Sequence, residues 1–495
     1  RTYSVYWQNA GSIIETDTNV PWGTVPTYNG ATPTNNGQTS TGWLPDPTQP
    51  ITGNTTFVAQ YTPIYTVSFY NGSTLLQTVN VLQGGTASYT GSTPEKTGVA
   101  NPEDYTFIGW DRTLTNVQSS FSTYAQFKEP KTFYAPSFDV AGAYAVQWSY
   151  ASGDDDPVLA RGGAAASFAD PLPATSVSGS GSSPFDNILP WSGMKRYNII
   201  NGAVSYSEDD ASFSQTDYDT VVRIPEFYFA VEKDTTNERW TWAVSPTAKS
   251  GYTKHPGSGR YVGRYHTSGD STEVFTKSGI IPLVNTSQTN FRTYSHNKGT
   301  NWYMMDLATW SALQLLYLVE FGSFASQTVL GEGYTGFNAV GAGGGTDSAV
   351  YHTIKATGAH NQYRWVEDPF SNCRDWIDGF LGSRSEVYAG VSDSGYTGST
   401  SGLDNTGISL PSSGAILGFG YSSSVPWAFI PDTASGSVDN AKYVTDYVDS
   451  NTSQRPAFVG GNYNSVASYG FFYLNALNSA TFTSASLGSR LQFNP

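Results

Sequence analysis

Apolar and polar residues alternate in short runs through roughly the first 130 residues, which is the period-2 pattern of strands that bury one face. Glycine, proline and asparagine fill the stretches between these runs. The pattern occurs twice in the same order, from Tyr3 to Tyr61 and from Tyr65 to Phe127. Because repeats decide an architecture, we predict two small β modules, residues 1–64 and 65–130.

Three short matches relate the copies: Gly-Thr, then Tyr-x-Gly, then Gly-Trp. With these matches the copies resemble the internalin-type B repeats of bacterial surface and phage proteins, a family with a β-grasp-like fold. The resemblance covers about the first quarter of the chain. It implies that the two modules act as spacers.

From about Ala141 the composition changes, and we predict one α+β domain over residues 141–495. Asn201-Gly202 stands between two alternating runs, the typical signal of a hairpin with a type I′ turn. One helix is expected over Leu307–Phe321, with Asp306 as the N-cap and Gly322 as the left-handed residue after its end. That helix is apolar on most faces, so it should be buried.

Composition narrows the possible partners. The net charge of −15 disfavours nucleic acid, because phosphate backbones are bound chiefly through Lys and Arg. No apolar run is long enough for a bilayer, so no membrane insertion is expected. The single cysteine, Cys373, cannot form an intramolecular disulfide. The aromatic content of 15% favours β-rich surfaces that contact a ligand.

The stretch from Gly460 to Ser489 has a peculiar composition. It contains no Lys, Glu, Gln, Met or Trp, although Tyr, Phe, Leu, Val, Ser, Thr and Ala all occur. Codons that end in a pyrimidine cannot specify the five missing types, whereas changes at the adenines of an Asn codon produce the types that are present. Targeted diversification of asparagine codons would leave this composition.

Three runs carry a specific resemblance: Gly460–Asn464, Gly470–Asn475 and Gly488–Leu491. They resemble the variable region of diversity-generating retroelement target proteins, a family that includes phage major tropism determinants. The resemblance implies a C-type lectin-like fold for residues 141–495, a variable region at about 460–491 that faces solvent, and a homotrimer. The candidate ligand-binding positions are Tyr463, Ser465, Val466, Ser468, Tyr469, Phe471, Leu477, Phe482, Ser484 and Ser486.

Those residue types suit binding for a reason that is independent of the family. Tyrosine and phenylalanine offer large contact area at a small loss of rotamer entropy, and serine supplies adaptable hydrogen bonds. Asn462, Asn464, Asn475 and Asn478 would be unmutated template positions. The alternative interpretation is an ordinary β-rich C-terminus, but the apolar residues of the segment share no common period.

A second resemblance concerns Tyr363–Phe370 and Trp376–Gly379, which are similar to segments of formylglycine-generating-enzyme-like lectin folds. Ser371 stands where that pattern has Gly, and Asp375 where it has Glu. The oxidase chemistry of that enzyme family needs a pair of thiols, and Cys373 is the only cysteine. We therefore predict a protein that is not an enzyme.

Other catalytic or metal sites find little support. The histidines lie in no recognisable nucleophile or zinc motif; they are His255, His266, His296, His352 and His360. We assign no catalytic residue, no metal and no cofactor. The acidic run Asp154–Asp156 leaves a glycan hydrolase open as a third possibility.

The predicted function is receptor recognition by a phage tail protein or a bacterial surface protein, located on the virion or on the outside of the cell. The expected partner is a bacterial surface protein or glycan. The alternative is a structural adhesin or virion decoration module without a variable binding site.

Overall fold

The computed structural model describes residues 1–98, 105–128, 132–150, 159–336, 338–343, 345–392, 396–435, 444–464 and 468–495. The chain forms two compact units, Arg1–Pro130 and Lys131–Pro495. Its regular structure is mostly β-sheet with few helices, a mixed and β-rich class. None of the helices in the described ranges is long and apolar enough to cross a membrane.

The first unit is a single seven-stranded sheet in which the two sequence copies share a strand. The first half of β4 pairs in parallel with β1, and its second half pairs in parallel with β7. The boundary between the copies therefore falls inside one continuous strand. The strands are β1 (Thr2–Asn9), β2 (Ser12–Pro21), β3 (Gln38–Leu44), β4 (Thr55–Asn71), β5 (Thr74–Leu82), β6 (Thr106–Trp110) and β7 (Phe121–Lys128).

Each copy has its own aromatic core. Three rings pack together in each, Trp7, Tyr28 and Trp43 in the first copy and Phe69, Tyr89 and Trp110 in the second. A Cβ at Gly30 would collide with the ring of Tyr28, and one at Gly91 with the ring of Tyr89. This close approach is the physical reason for the repeated Tyr-x-Gly match.

The second unit contains the remaining strands and the helices. The strands are β8 (Tyr144–Ser149), β9 (Ala160–Gly163), β10 (Arg196–Ile200), β11 (Ala203–Ser207), β12 (Asp219–Ile224), β13 (Tyr228–Asp234), β14 (Arg239–Ser245), β15 (Thr253–Lys254), β16 (Arg260–Gly263), β17 (Ser268–Gly269), β18 (Val274–Phe275), β19 (Trp302–Met304), β20 (Gln362–Tyr363), β21 (Val366–Glu367), β22 (Arg374–Trp376), β23 (Phe380–Gly382), β24 (Val387–Ala389), β25 (Asp404–Asn405), β26 (Ser413–Gly420), β27 (Ile430–Ser435), β28 (Tyr447–Ser450), β29 (Phe458–Val459), β30 (Leu474–Ala476), β31 (Leu487–Ser489) and β32 (Leu491–Phe493). The helices are α1 (Gln288–Asn297), α2 (Leu307–Phe321) and α3 (Ser326–Leu330).

Two local predictions are confirmed. Helix α2 has the predicted bounds and is buried along its whole length; the side chain of Asp306 accepts from the Thr309 amide at 2.8 Å, and Gly322 is left-handed with φ 60°. The predicted hairpin is formed by β10 and β11, with Asn201 at φ 53° and Gly202 at φ 75°. Both features depend on interactions between residues close in sequence, so local sequence patterns predict them.

The end of the chain joins two sheets. Strands β30 and β31 lie in a seven-stranded sheet of order β27-β26-β28-β30-β29-β22-β31, which we call the terminal sheet. Strand β32 instead joins β16 and β19 in a six-stranded sheet. One face of the terminal sheet packs into the main core with α2, through Val448, Val459, Leu474 and Ala476. The other packs into a smaller cluster with α1, through Phe291, Trp376, Phe458, Tyr473 and Leu487.

Candidate functional site

An exposed loop, residues 477–486, joins β30 to β31, and we call it the terminal loop. It is attached to the framework at several points. The Asn451 side-chain amide donates to the Leu477 carbonyl at 3.1 Å, and the Asn285 amide donates to the Ser484 carbonyl at 2.9 Å. The Thr289 amide of α1 donates to the Ala480 carbonyl at 3.4 Å. The loop is therefore held against α1 and the terminal sheet.

Several predicted positions reach the surface here. Leu477 and Phe482, the two large apolar side chains of the terminal loop, are each 39% exposed. Ser484 and Ser486 are half-buried, and their hydroxyl oxygens lie 3.1 Å apart. Tyr469 is half-buried just before β30. These residues form an outward-facing set of apolar and hydroxyl groups.

Phe471 is a correction to the predicted set. It has no exposed surface, and its ring packs at centroid distances of 4.9 Å from Tyr317 and 5.3 Å from Trp310. Its carbonyl accepts from the Gln314 side-chain amide at 2.7 Å. A side chain enclosed by α2 cannot contact a ligand, so Phe471 belongs to the core.

Other predicted positions are also less accessible than the resemblance implies. Tyr463 and Ser468 are buried. The Tyr463 backbone bonds to Asn372 at 3.1 Å and to Gly336 at 2.8 Å, which ties this part of the segment to the interior. Ser465 and Val466 lie outside the described residues.

The asparagines predicted as unmutated template positions differ in solvent exposure. Asn464 is exposed, Asn478 is half-buried, and Asn462 and Asn475 are buried. The Asn475 side chain accepts from the Leu477 amide at 3.1 Å and donates to the Tyr473 hydroxyl at 3.0 Å. Asn475 therefore fixes the start of the terminal loop.

A buried carboxylate anchors the segment before β30. Asp446 accepts from the amides of Gly470 at 2.6 Å and Phe472 at 2.8 Å. Burial raises the pKa of Asp446 to about 6, although these two hydrogen bonds act in the opposite direction. A Cβ at Gly470 would collide with the Ser326 hydroxyl, so no larger residue fits there.

Arg490 anchors the other end. Its guanidinium is buried and donates to Asp375 at 3.3 Å and to the carbonyls of Arg264 at 2.9 Å and Glu367 at 3.0 Å. Burial would raise the pKa of Asp375, but His266 and Arg490 hold it below its usual value. The Gly-Ser-Arg-Leu run is thus structural, with Asp375 as the carboxylate partner of Arg490.

The structure adds a group that the sequence did not reveal. The Arg374 guanidinium lies 5.1 Å from the ring centre of Tyr469, 5.4 Å from that of Tyr473 and 5.7 Å from that of Phe458. Tyr447 stacks on Tyr469 at 6.3 Å. We call these five residues the aromatic patch; Arg374, Tyr447 and Tyr469 are half-buried, whereas Phe458 and Tyr473 are buried. They come from β22, β28, β29 and the segment before β30, so no local pattern could have joined them.

The chain resembles solved structures over part of its length. It is similar to a solved structure described as Major Tropism Determinant U1 Variant, at 12% identity and a TM-score of 0.26, over 61% of this chain and 71% of that one. It is also similar to Streptococcal High Identity Repeats in Tandem (SHIRT) domains 3-4 from a cell surface protein, at 15% identity and a TM-score of 0.10, over 26% of this chain and 99% of that one. No family model and no curated protein matches the sequence.

One group in the described ranges has the donor types of a metal site: His360, Glu367 and Asp368. The His360 Nδ1 atom lies 2.5 Å from an Asp368 carboxylate oxygen, and Glu367 accepts from the Gly343 amide at 2.9 Å. Burial lowers the pKa of His360, but Asp368 and Glu367 outweigh it and raise this pKa to about 9. His360 and Asp368 form an ion pair, and a Glu367 carboxylate oxygen lies 3.9 Å from the same imidazole nitrogen.

The cysteine and two of the histidines considered as catalytic candidates lie among interior partners. Cys373 is buried, and burial raises the pKa of its thiol well above the ordinary value, which opposes thiolate formation. His266 bonds to Asp375 at 3.0 Å and His352 bonds to Asp186 at 2.8 Å. The acidic run Asp154–Asp156 lies outside the described residues.

Proposed function

We propose that this chain is a receptor-recognition protein of a phage tail or a bacterial surface, and that it binds through the terminal loop and the aromatic patch. One observation carries the proposal: Leu477 and Phe482 project from a loop whose flanking segments are buried and hydrogen-bonded. Exposed large apolar side chains gathered on a held loop are typical of an interaction site.

The mechanism is equilibrium binding without catalysis. The anchors Asp446 and Arg490 restrain the segment before a ligand arrives, so little loop entropy is lost on binding. Phe482, Leu477 and Tyr469 supply contact area, and Ser484 and Ser486 supply hydroxyl groups. Within this proposal the second unit has a C-type lectin-like arrangement with a diversified region at about 460–491.

The assembly and partner belong to the same proposal. A homotrimer would present three such surfaces, and avidity would compensate for modest affinity at each site. The partner would be a bacterial surface protein or glycan, and the first unit would separate the binding unit from its base. A net charge of −15 makes nucleic acid a poor partner.

The test is attachment to cells. The fluorescently labelled chain and a Leu477→Ser/Phe482→Ser variant are compared by flow cytometry on a panel of bacterial strains. On strains that bind the chain, we expect attachment of the variant to fall at least ~10-fold, equivalent to about 1.4 kcal/mol. Leu172→Ser, at a position 64% exposed in the same unit, is the matched control and should bind normally. Equal attachment by the double variant would refute the proposed surface.

A second candidate is a structural adhesin or virion decoration module. The observation that favours it is the burial of Tyr463, Ser468 and Phe471, which makes part of the segment ordinary core. The encoding genome separates the two. A neighbouring reverse transcriptase and a near-copy of the segment that differs only at adenines support diversified binding, and their absence supports the structural role.

A further inference from the structure

Arg374 occupies the middle of the proposed surface. It lies on β22 beside β31, with Leu487 as its partner in register, and its amide donates to the Ser486 carbonyl at 3.1 Å. The terminal loop thus ends directly beside it. The rings of Tyr469 and Tyr473 both lie near its guanidinium. Arg374 also lies outside the stretch Gly460–Ser489 whose composition indicates diversification.

The guanidinium of Arg374 has no acceptor within the part of the chain that the structure describes. Its Nε atom is buried without a hydrogen-bond partner. Among the described residues of this unit, the buried arginines Arg292, Arg364 and Arg490 pair with Asp378, Glu320 and Asp375, and buried Arg264 donates to the carbonyls of Trp365 and Thr346. Among the described residues, the contacts of the Arg374 guanidinium are with the rings of Tyr469, Tyr473 and Phe458. Because Arg374 as a whole is half-buried, the other N–H donors of its guanidinium can be reached by a ligand although Nε cannot.

The surroundings of Arg374 contain groups that a sugar can contact. Tyr469 is half-buried and can offer part of its ring to a pyranose, whereas Tyr473 is buried and packs edge-on against Tyr469 with centroids 4.7 Å apart. The Asp449 carboxylate is part of the same surface, 3.4 Å from the Tyr473 hydroxyl, and it can accept from sugar hydroxyls. Arg374 contributes one positive charge to this surface, and the chain has a net charge of −15. The surface therefore suits a ligand with one acidic group better than a densely charged polyanion.

We propose that Arg374 is a fixed contact that binds the carboxylate of an acidic sugar in a bacterial surface polysaccharide. This inference rests on the proposed function and assigns its ligand class. The diversified residues of the terminal loop would then select among polysaccharides, while Arg374 recognises the carboxylate that they share. Arginine can bind a carboxylate through two parallel hydrogen bonds, which gives direction as well as charge.

The experiment uses polysaccharide purified from a strain that binds the chain, before and after carbodiimide-activated borohydride reduction of its uronic carboxylates to alcohols. Binding is measured by biolayer interferometry for the wild type, Arg374→Gln and Arg374→Lys. We expect reduction of the polysaccharide to weaken wild-type binding at least ~10-fold. Arg374→Gln should weaken binding to the native polysaccharide equally and leave binding to the reduced one unchanged. Arg374→Lys keeps the charge but not the paired donors, so it should be intermediate.

The matched control is Lys355→Gln, which removes one exposed positive charge outside the aromatic patch and should bind normally. The inference is overturned if the wild type binds both polysaccharides equally, if Arg374→Gln binds like the wild type, or if protease treatment of the cells alone abolishes attachment. The comparison of native and reduced polysaccharide uses the wild type. It therefore tests whether the carboxylate is recognised even if a variant misfolds. If attachment still depends on Leu477 and Phe482, these outcomes leave the proposed function intact.

Discussion

Phe471 and Phe482 are the same residue type in one short segment, yet they have opposite roles. Phe471 lies among the rings of Trp310, Tyr317, Tyr363 and Phe370, whereas Phe482 projects from the terminal loop. The difference arises because the Phe471 carbonyl and amide are both bonded to interior side chains, Gln314 and Ser326. The backbone position, not the side chain, decides which phenylalanine can meet a ligand.

Replacement of each phenylalanine by alanine should separate these roles. Phe471→Ala leaves a cavity in the core and should lower the free energy of unfolding by about 3–5 kcal/mol. Phe482→Ala should change it by less than about 0.5 kcal/mol. Urea denaturation followed by tryptophan fluorescence measures both. A similar loss of stability in the two variants would contradict the assignment of Phe482 to the surface.

Gly470 should tolerate no side chain. Gly470→Ala forces a Cβ against the Ser326 hydroxyl and the Asp446 carboxylate, so we expect a loss of at least ~1 kcal/mol in unfolding free energy. Gly341→Ala is the control, because the nearest atom to a Cβ there lies 3.7 Å away. Thermal denaturation of both variants tests the expectation, and an unchanged melting temperature for Gly470→Ala would argue against the tight packing of this segment.

Asp446 should give stability a measurable pH dependence. Its folded pKa, raised by burial to about 6, exceeds its ordinary value of 3.8, so the folded state holds the proton more tightly. The resulting stabilisation is complete below pH 3.8 and is lost as the pH rises through about 6. Relative to Asp446→Asn, the wild type should therefore lose unfolding free energy between pH 4 and pH 7. A constant difference between the two proteins across this range would show that Asp446 does not titrate in it.

Helix α2 is the element that organises the second unit. All of its residues are buried. Its N-cap residue, Asp306, also contacts residues outside the helix. The Asp306 carboxylate accepts from the amides of Thr309 and Ser392 and forms an ion pair with Arg260 at 2.8 Å. One carboxylate thereby joins the start of α2 to β16 and to the chain after β24.

Loss of that carboxylate should cost more than loss of an ordinary cap. Asp306→Ala removes the cap and leaves Arg260 without its ion-pair partner. We expect the free energy of unfolding to fall by about 3–5 kcal/mol. Ser287→Ala removes only a cap hydrogen bond of α1, to the Asn290 amide, and should cost about 1 kcal/mol. Guanidinium denaturation compares the two, and equal losses would mean that Asp306 acts as a cap alone.

The terminal sheet is the element that assembles the proposed surface. Its order sets β28, β30, β29 and β22 side by side, although their positions in the sequence are far apart. Arg374, Tyr447 and Tyr473 become neighbours only through this order. A variant that disturbs one of these strands should therefore affect binding even when the terminal loop is unchanged.

At the scale of the whole molecule, each unit has hydrophobic clusters of its own. In the first unit, Trp7 lies in a cluster with Val5, Ile51 and Phe57, and its indole donates to Asp17 at 3.0 Å. A substitution that removes a large side chain from this cluster should therefore destabilise the first unit.

Trp7→Ala should lower hydrogen-exchange protection in the first unit by the equivalent of about 3–5 kcal/mol and leave protection in the second unit unchanged. Trp22→Ala, at a position 64% exposed in the same unit, should alter neither. Hydrogen-deuterium exchange with mass spectrometry reads both units in one experiment. Loss of protection in residues 132–495 would show that the second unit depends on the first.

The sequence alone determined the features that depend on neighbours within a few residues. Asn201-Gly202 specified its turn, Asp306 and Gly322 bounded α2, and the recurring Gly-Thr, Tyr-x-Gly and Gly-Trp matches identified the two copies. These signals are reliable because capping, left-handed turns and strand alternation are short-range effects. The β-rich mixed class followed from the same patterns.

Only the tertiary structure decided which side chains of the terminal segment meet solvent. Phe471 and Phe482 carry the same local signal, and their burial depends on whether α2 lies above them. Arg374 has no signal of its own, since its surroundings are built from strands distant in sequence. Burial and electrostatic environment are set by long-range neighbours, and a period or a composition read along the chain does not contain them.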